Sequence, residues 1–332
     1  MTISKPPVVI LGSNSYSGAV CAQFVLQFSD VVGISRSNEP PLALLPYRWN
    51  RTPGTFRFEQ AHLYHDAERI GALLAEIQPE YIINFAAQSM VAESWLTPQD
   101  WYLTNVAGTA KVTEYARRLP SLKRWVQIST PEVYGNNTGQ LTEATPMSPS
   151  TPYAVSKAAC DMHLLALHRQ YQFPVVFTRA ANVYGPGQPL YRIIPKTAWL
   201  AMSGGQLPLQ GGGLSERAFI HGGDMSSGTW LAATRGQNGQ CYHLSPGREH
   251  TIRAVVELIC RTANVDPATV INMAPERPGK DARYGLDATK AKNELGWIPK
   301  VSLEQGIEQV VAWAHWFRSE LQHLPILYTH KQ

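Results

Sequence analysis

Over its first 180 or so residues the chain alternates short, apolar strand-like runs with longer stretches of helical periodicity, and few architectures accept that pattern. Residues 8–11, 31–34, 81–85, 125–128 and 175–178 read as buried strands. Between them, residues 18–28, 67–77, 98–118 and 152–171 read as helices. On the first of these, Val20, Phe24, Val25 and Phe28 share one side; on the second, Ile70, Leu73, Leu74 and Ile77 fall at i, i+3, i+4 and i+7. Pro152 suits a first helical turn. Strands that are apolar throughout are buried on both faces, so the spacing predicts an α/β fold, a doubly wound parallel (Rossmann) sheet with helices on either side. Right-handed crossovers then put the ligand-binding loops at the carboxyl ends of the strands.

After Asn182 the rhythm changes. Glycine and proline cluster in Gly185-Pro186-Gly187, Gly204-Gly205 and Gly211-Gly212-Gly213, and helical patterns return near 251–263 and 302–321. The 332 residues suffice for two cores. The expected division is a dinucleotide-binding domain of residues 1–180, joined by about 219–245 returning to the sheet, and a smaller C-terminal α/β substrate-binding lobe of residues 181–218 and 246–332. Trp313, Trp316 and Phe317 are expected to pack helices rather than to face a ligand.

Composition removes other classes. A charged content of 16% with nine Trp and fourteen Tyr belongs to a folded chain. The net charge of +4 is dispersed and predicts no nucleic-acid partner. No apolar run reaches the about 18 residues of a membrane span, so no membrane partner is expected. The first apolar run begins at Val8, too early for a signal peptide ahead of it. Cys21, Cys160, Cys241 and Cys260 lie far apart without a CxxC spacing, which predicts neither a disulfide framework nor a metal site and suits the cytoplasm.

The first strand leads into Gly12-Ser13-Asn14-Ser15-Tyr16-Ser17-Gly18 and then a helix. Gly12 permits a tight turn, Gly18 close helix–strand packing, and a helix N-terminus attracts a pyrophosphate. The usual dinucleotide fingerprint has a middle glycine, where this chain has Ser15, a small residue able to offer a hydroxyl. Such a loop also fits an ordinary strand–helix turn. An acid closing the second strand would hold a ribose 2′-hydroxyl, as in NAD. Here Ser35-Arg36-Ser37 puts a fork-shaped cation between two hydroxyls, which favours the 2′-phosphate of NADP, with NAD the alternative.

Tyr153 and Lys157 are four residues apart near a helix start, hence on one face, one turn apart. A phenol is a poor base near neutrality unless positive charge stabilises its anion. Alone, this pair is common on helix surfaces. Here Ser129-Thr130-Pro131-Glu132-Val133-Tyr134-Gly135 precedes it and Arg179-Ala180-Ala181-Asn182-Val183-Tyr184-Gly185-Pro186 follows.

On these residues the chain resembles the extended short-chain dehydrogenase/reductase family, and within it the nucleotide-sugar 4,6-dehydratases of the dTDP-glucose and GDP-mannose type. The resemblance continues through Asn84-Phe85-Ala86-Ala87-Gln88-Ser89, Glu93-Ser94-Trp95, Asn105-Val106-Ala107-Gly108-Thr109, Arg217-Ala218-Phe219-Ile220-His221, Arg277-Pro278-Gly279-Lys280 and Leu295-Gly296-Trp297. It implies a hydro-lyase with a tightly bound nicotinamide cofactor that oxidises C4 of a nucleoside-diphosphate hexose, eliminates water across C5 and C6, and returns hydride to C6. Tyr153 would take the C4 hydroxyl proton with help from Thr130 and Lys157, and Glu132 the C5 proton. Tyr16, Ser17, Ala86, Ala87, Tyr153 and Lys157 would line the cofactor, together with Leu63 or its neighbour His62 where relatives use an Asp toward adenine. Gln88, Ser89, Tyr191 and Arg192 would face the sugar, Lys196 the nucleotide, and Asn182, Arg217 and Arg277 the diphosphate. A homodimer through the helices around 98–118 and 152–171 is also implied. One departure matters: Pro131 stands where the dTDP-glucose branch has a proton-donating Asp. That keeps 5,6-dehydration open. A C4 epimerase would need no Glu132, and a non-catalytic dinucleotide sensor would need none of Tyr153, Lys157 and Glu132.

Overall fold

All four residues of the first strand, β1 (Val8–Leu11), are buried, as a strand covered on both faces must be. The computed structural model describes residues 6–136, 139–275 and 284–330. After β1 come α1 (Tyr16–Val25), β2 (Val31–Ser35), β3 (Phe56–Gln60), α2 (Ala67–Ile77), β4 (Tyr81–Asn84), α3 (Pro98–Trp101), α4 (Thr109–Ala116), β5 (Arg124–Ile128), β6 (Gly139–Leu141), α5 (Pro152–Tyr171) and β7 (Val175–Ala180). The remainder supplies β8 (Asn182–Tyr184), α6 (Ile193–Ser203), β9 (Leu207–Gln210), β10 (Glu216–His221), α7 (Gly222–Arg235), β11 (Cys241–Leu244), β12 (Glu249–Thr251), α8 (Ile252–Thr262), α9 (Pro267–Val270), β13 (Ile271–Ala274), β14 (Tyr284–Leu286), α10 (Thr289–Leu295), α11 (Leu303–Trp316) and α12 (Arg318–Leu321).

Seven strands form one parallel sheet in the order β11-β7-β5-β4-β1-β2-β3. Strand order reverses between β1 and β4, where Leu11 is in register with Asn84. Crossovers leave opposite faces of the sheet there, so their loops part and open a crevice at the carboxyl ends. One apolar layer joins β1, α1 and α7; the other joins the opposite sheet face to α2, α4 and α5. Within the segment 219–245, α7 packs on α1 and β11 extends the sheet beside β7, whereas its first residues belong to β10 of a separate three-stranded sheet, β12-β10-β8. A further apolar cluster of α6, α8 and α11 underlies the C-terminal half. Among the described residues no helix is long and apolar enough to cross a membrane.

Several sequence expectations need correction. β3 was not anticipated: Phe56-Arg57-Phe58-Glu59-Gln60 is a half-exposed edge strand, without the continuous apolar run of the others. α1 starts at Tyr16 and ends at Val25, leaving Phe28 49% exposed; its deepest residues are the small Ala19, Cys21 and Ala22, which let α7 approach. The expected helix over 98–118 is α3, then a π-helical stretch over Tyr102–Gly108, then α4. Residues 302–321 divide into α11 and α12. Trp313 is buried and donates its indole N–H to Ala43 O at 2.9 Å, but Trp316 is 84% exposed and packs nothing comparable.

Candidate active site

The crevice between β1 and β4 is a cavity of about 670 Å³, within the range of small-molecule and cofactor sites. Gly12, Ser15, Tyr16, Ser35, Arg36, Ser37, Leu63, Ala86 and Ala87, all expected along a cofactor, line it. Gly12 sits at φ +81°, and a Cβ there would meet Ala86 N at 2.5 Å. A side chain would close the crossing point of the two strand ends. At Gly18 a Cβ would meet Gly12 O at 2.3 Å, so the helix is seated directly on the turn. The first turn of α1 carries no acid, and its free N–H groups face a site suited to an anion.

The hydroxyls differ from expectation. Ser15 Oγ donates to Gly12 O at 2.7 Å and accepts from Gly18 N at 3.1 Å, so it caps its own helix. Ser35 Oγ accepts from Asn14 N at 3.0 Å and lies 3.3 Å from Ser13 Oγ. Both serines shape the loop, Ser15 by committing its hydroxyl proton to Gly12 O and Ser35 by accepting the Asn14 amide. Asn14, missed in the sequence, donates from Nδ2 to Ser37 O at 2.8 Å and Asn38 O at 3.0 Å, tying the two loops together. Tyr16 lines the cavity with its ring while its hydroxyl lies against Gly185 and Gly222; burial raises its pKa well above the ordinary phenol value. Ser17 and Gly18 are not part of the lining.

Arg36 is different. Its Nη1 is buried with no hydrogen-bond partner, and burial lowers its pKa against the opposing pull of Tyr328 and Asp100. An unpaired guanidinium nitrogen on a cavity wall is a donor waiting for an acceptor. His62 also lines the wall, beside the buried Leu63. Its Nδ1 accepts from Tyr64 N at 3.1 Å, which leaves Nε2 to carry the proton of the neutral ring. Burial, then His65 and Arg36, lower its pKa and favour that neutral form.

The residues expected to handle protons gather at the end of β5. Thr130 caps a 3₁₀ turn over Pro131–Tyr134, with Pro131 in its first position. The Thr130 hydroxyl donates to Glu132 Oε2, and Glu132 N donates back to Thr130 Oγ1 at 3.4 Å. The Tyr153 phenol is near enough for both Thr130 and Glu132 to bear on its charge, so the three residues form one group. Burial foremost, then the charge of Glu132, raises the Tyr153 pKa, while the Thr130 bond and Arg192 oppose the rise. Lys157 lies below with Nζ donating to Ile128 O at 2.6 Å. With its pKa raised, the phenol stays neutral in the unliganded protein.

This group is braced from behind. Ser129 Oγ donates to Asp161 Oδ2 at 2.5 Å, and Arg179 Nη2 pairs with the same oxygen at 2.9 Å, the two side chains being 0% and 4% exposed respectively for Asp161 and Arg179. Arg179 Nη1 donates to Tyr134 Oη at 2.6 Å, and that hydroxyl meets His243 Nε2 at 2.6 Å. On the other side, Asn105 sits in the π-helical stretch, accepts from Gln88 N at 2.8 Å and donates to Gln88 O at 3.0 Å and Ser156 Oγ at 2.8 Å. The wide turn thereby joins the β4 loop to the helix bearing Tyr153.

Among the substrate expectations, Gln88, Ser89 and Tyr191 line the cavity, whereas Asn182, Arg192, Lys196 and Arg217 do not. Nor do Thr130, Glu132, Tyr153 and Lys157, which stand beside the lining rather than in it. Arg192 is close enough to affect the Tyr153 charge. Asn182 donates to Ala218 O at 3.1 Å and Arg217 to Glu216 O at 2.8 Å, contacts within the three-stranded sheet and not toward the cavity. Arg277 lies outside the described residues. Sequence reasoning also missed Leu324, Pro325, Leu327, Tyr328 and Thr329 on the cavity wall. No motif marks them.

Known proteins resemble this chain over most of its length. The sequence model of the GDP-mannose 4,6 dehydratase family matches residues 9–310. A dTDP-glucose 4,6-dehydratase of Xanthomonas campestris pv. campestris is 36% identical over 75% of this chain and 76% of its own. One from Neisseria gonorrhoeae is 32% identical over 94% of this chain and 96% of its own. The crystal structure of a dTDP-glucose 4,6-dehydratase from Streptomyces venezuelae with NAD bound superposes with a TM-score of 0.87 at 30% identity, covering 96% of this chain and all (100%) of that one.

Proposed function

Because the chain belongs to the GDP-mannose 4,6-dehydratase family of extended short-chain dehydrogenase/reductases, we propose that it converts a nucleoside-diphosphate hexose to the 4-keto-6-deoxy product with the residues just described. It is a hydro-lyase of the nucleotide-sugar 4,6-dehydratase class that works with a nicotinamide cofactor. The observation that carries the residue-level reading is the Thr130–Glu132 hydrogen bond at the end of β5, with the Tyr153 phenol close enough to feel both groups. It places a phenol and a carboxylate side by side, as removal of protons from O4 and from the adjacent ring carbons requires.

The cavity fits a dinucleotide: backbone alone lines the turn at Gly12, a helix N-terminus faces the phosphate position, and Arg36 Nη1 has no internal partner. The bound nicotinamide supplies the acceptor, and later the donor, of a hydride. Tyr153 takes the proton from the C4 hydroxyl, with Thr130 holding that oxygen and Lys157 contributing positive charge nearby. Once C4 is a ketone the C5–H bond is acidic, and Glu132 removes that proton. With Pro131 in the next position, the protonated Glu132 carboxyl also gives a proton to the departing C6 hydroxyl, so one group performs both transfers. Pro131 equally favours a second reading, 5,6-dehydration, in which C4 is reduced again and an exocyclic alkene remains. Incubation with a panel of nucleoside-diphosphate hexoses, mass detection of water loss and proton NMR of the product test both. A C6 methyl signal is expected; an alkene signal identifies the second reading, and a C4-inverted sugar without water loss overturns both in favour of an epimerase.

Arg36 supports NADP over NAD, against the NAD of the solved Streptomyces relative. Arg36→Ala is expected to lose NADP affinity selectively in equilibrium titrations; equal loss for both dinucleotides removes the assignment. The division of labour proposed is residues 1–180 with about 219–245 for the dinucleotide, and 181–218 with 246–332 for the substrate. Exposed Trp95, Leu96 and Met162 on the side of α3 and α5 support a homodimer, which light scattering can check. Four free cysteines suit a cytoplasmic setting.

A further inference from the structure

The last described residues cross the cavity. Beyond α12, Leu324 packs on the α6–α8–α11 cluster, and Leu324, Pro325, Leu327, Tyr328 and Thr329 then form part of the cavity wall. Tyr328 meets Tyr191 edge to face, with ring centroids 5.2 Å apart and planes at 73°. His330 reaches the opposite side. Its ring stacks on the buried Trp101 at 4.9 Å and 12°, and its Nε2 lies 2.9 Å from Asp100 Oδ2. The segment is thus held at both ends, in the C-terminal half at Leu324 and on α3 at His330, with Tyr328 over the cleft between them. Tyr328 lines the same cavity as Arg36; burial raises its pKa, and the charges of Glu93, Arg36 and Arg192 also bear on its phenol. The cavity of about 670 Å³ remains open beneath it, so the segment bridges the space instead of filling it.

We propose that residues 324–330 form a strap that completes the dinucleotide site and must lift before the cofactor can leave. The inference rests on the reading of the β1–β4 crevice as a dinucleotide site and adds a part of that site which no motif specifies. Leu324, Tyr328 and His330 are half-buried; Pro325, Leu327 and Thr329 keep most of their surface exposed while edging the cavity, and Ile326, also exposed, does not line it. Release of a ligand lying under the strap requires undoing the Tyr328–Tyr191 and His330–Trp101 contacts together with the bond to Asp100. Such contacts act on the dissociation rate more than on association.

The test uses the full chain loaded with labelled NAD or NADP and chased with an excess of the unlabelled dinucleotide. A chain ending at Leu324 is expected to release the label about tenfold faster or more, with Asp100→Asn and Tyr328→Ala in between. Should the shortened chain fail to fold, the two point variants, each checked by its unliganded melting temperature, decide. Unchanged release in all three variants overturns the strap. Tighter dinucleotide binding by the shortened chain also overturns it, since the segment would then be a plug competing for the site. Failure of the wild-type chain to bind either dinucleotide overturns the underlying site reading as well, which separates the two.

Discussion

The two halves of the sheet's carboxyl edge are built on opposite plans. At β1 and β2 the wall is shaped by missing side chains, at Gly12 and Gly18, and it leaves Arg36 Nη1 unpaired. At β5 and β7 the polar groups are engaged with each other behind the surface, through Ser129, Asp161, Arg179, Tyr134 and His243. The first half can afford open donors because a bound phosphate would satisfy them. The second must hold a phenol and a carboxylate at fixed separation before any ligand arrives, and a buried hydrogen-bonded brace does so.

The largest effect expected is on turnover. Tyr153→Phe and Glu132→Gln should each slow product formation by about 10²- to 10⁴-fold. The two separate when the 4-keto product is supplied in heavy water. Wild type and Tyr153→Phe should exchange the C5 proton for deuterium, whereas Glu132→Gln should not. Exchange at the wild-type rate in Glu132→Gln would move the base elsewhere and dissolve the proposed Tyr153–Thr130–Glu132 group.

Next comes the brace. Asp161→Ala leaves Arg179 charged and buried without its carboxylate, and loss of one partner of such a pair costs about 3–5 kcal/mol. Arg36→Ala should leave denaturant midpoints nearly unchanged, since Arg36 Nη1 has no partner to lose. A similar loss of stability in both variants would erase the distinction between the two halves.

That distinction also explains what the sequence made legible. The parallel sheet was readable because its central strands are mostly apolar and buried, and α2 and α5 were placed to the residue by periodicity and by Pro152. Gly12, Thr130, Glu132, Tyr153 and Lys157 stand in local motifs, where backbone shape or one-turn spacing fixes the neighbours. β3 was missed because an edge strand alternates. Ser15 and Ser35 were read as ligand groups because a sequence does not show that Ser15 Oγ already donates to Gly12 O or that Asn14 N already donates to Ser35 Oγ. The strap is the extreme case. His330 meets Asp100 across 230 residues of chain, and no local pattern encodes a contact of that span.

The smallest of these effects is a pH dependence on the braced half. His243 is wholly buried; its Nε2 meets the Tyr134 hydroxyl at 2.6 Å, and its Nδ1 lies 3.2 Å from Asp287 O. With Nδ1 donating to that carbonyl, Nε2 is an acceptor and the ring is neutral. Burial first, then the Arg179 charge, lower its pKa from 6.5 to about 4. Unfolded, the same ring binds a proton near pH 6.5, so the unfolded chain takes up protons that the folded chain refuses. The stabilisation is therefore complete above about pH 6.5 and is lost as the pH falls to about 4, by about 3 kcal/mol in all. Denaturant unfolding across that window should show the loss in wild type, and His243→Gln, which has nothing to protonate, should show a shallower slope from a lower starting stability. Parallel slopes in the two proteins would mean that the ring is already charged in the fold, which would reverse the direction of the Tyr134–His243 bond and with it the polarity of the brace behind β5.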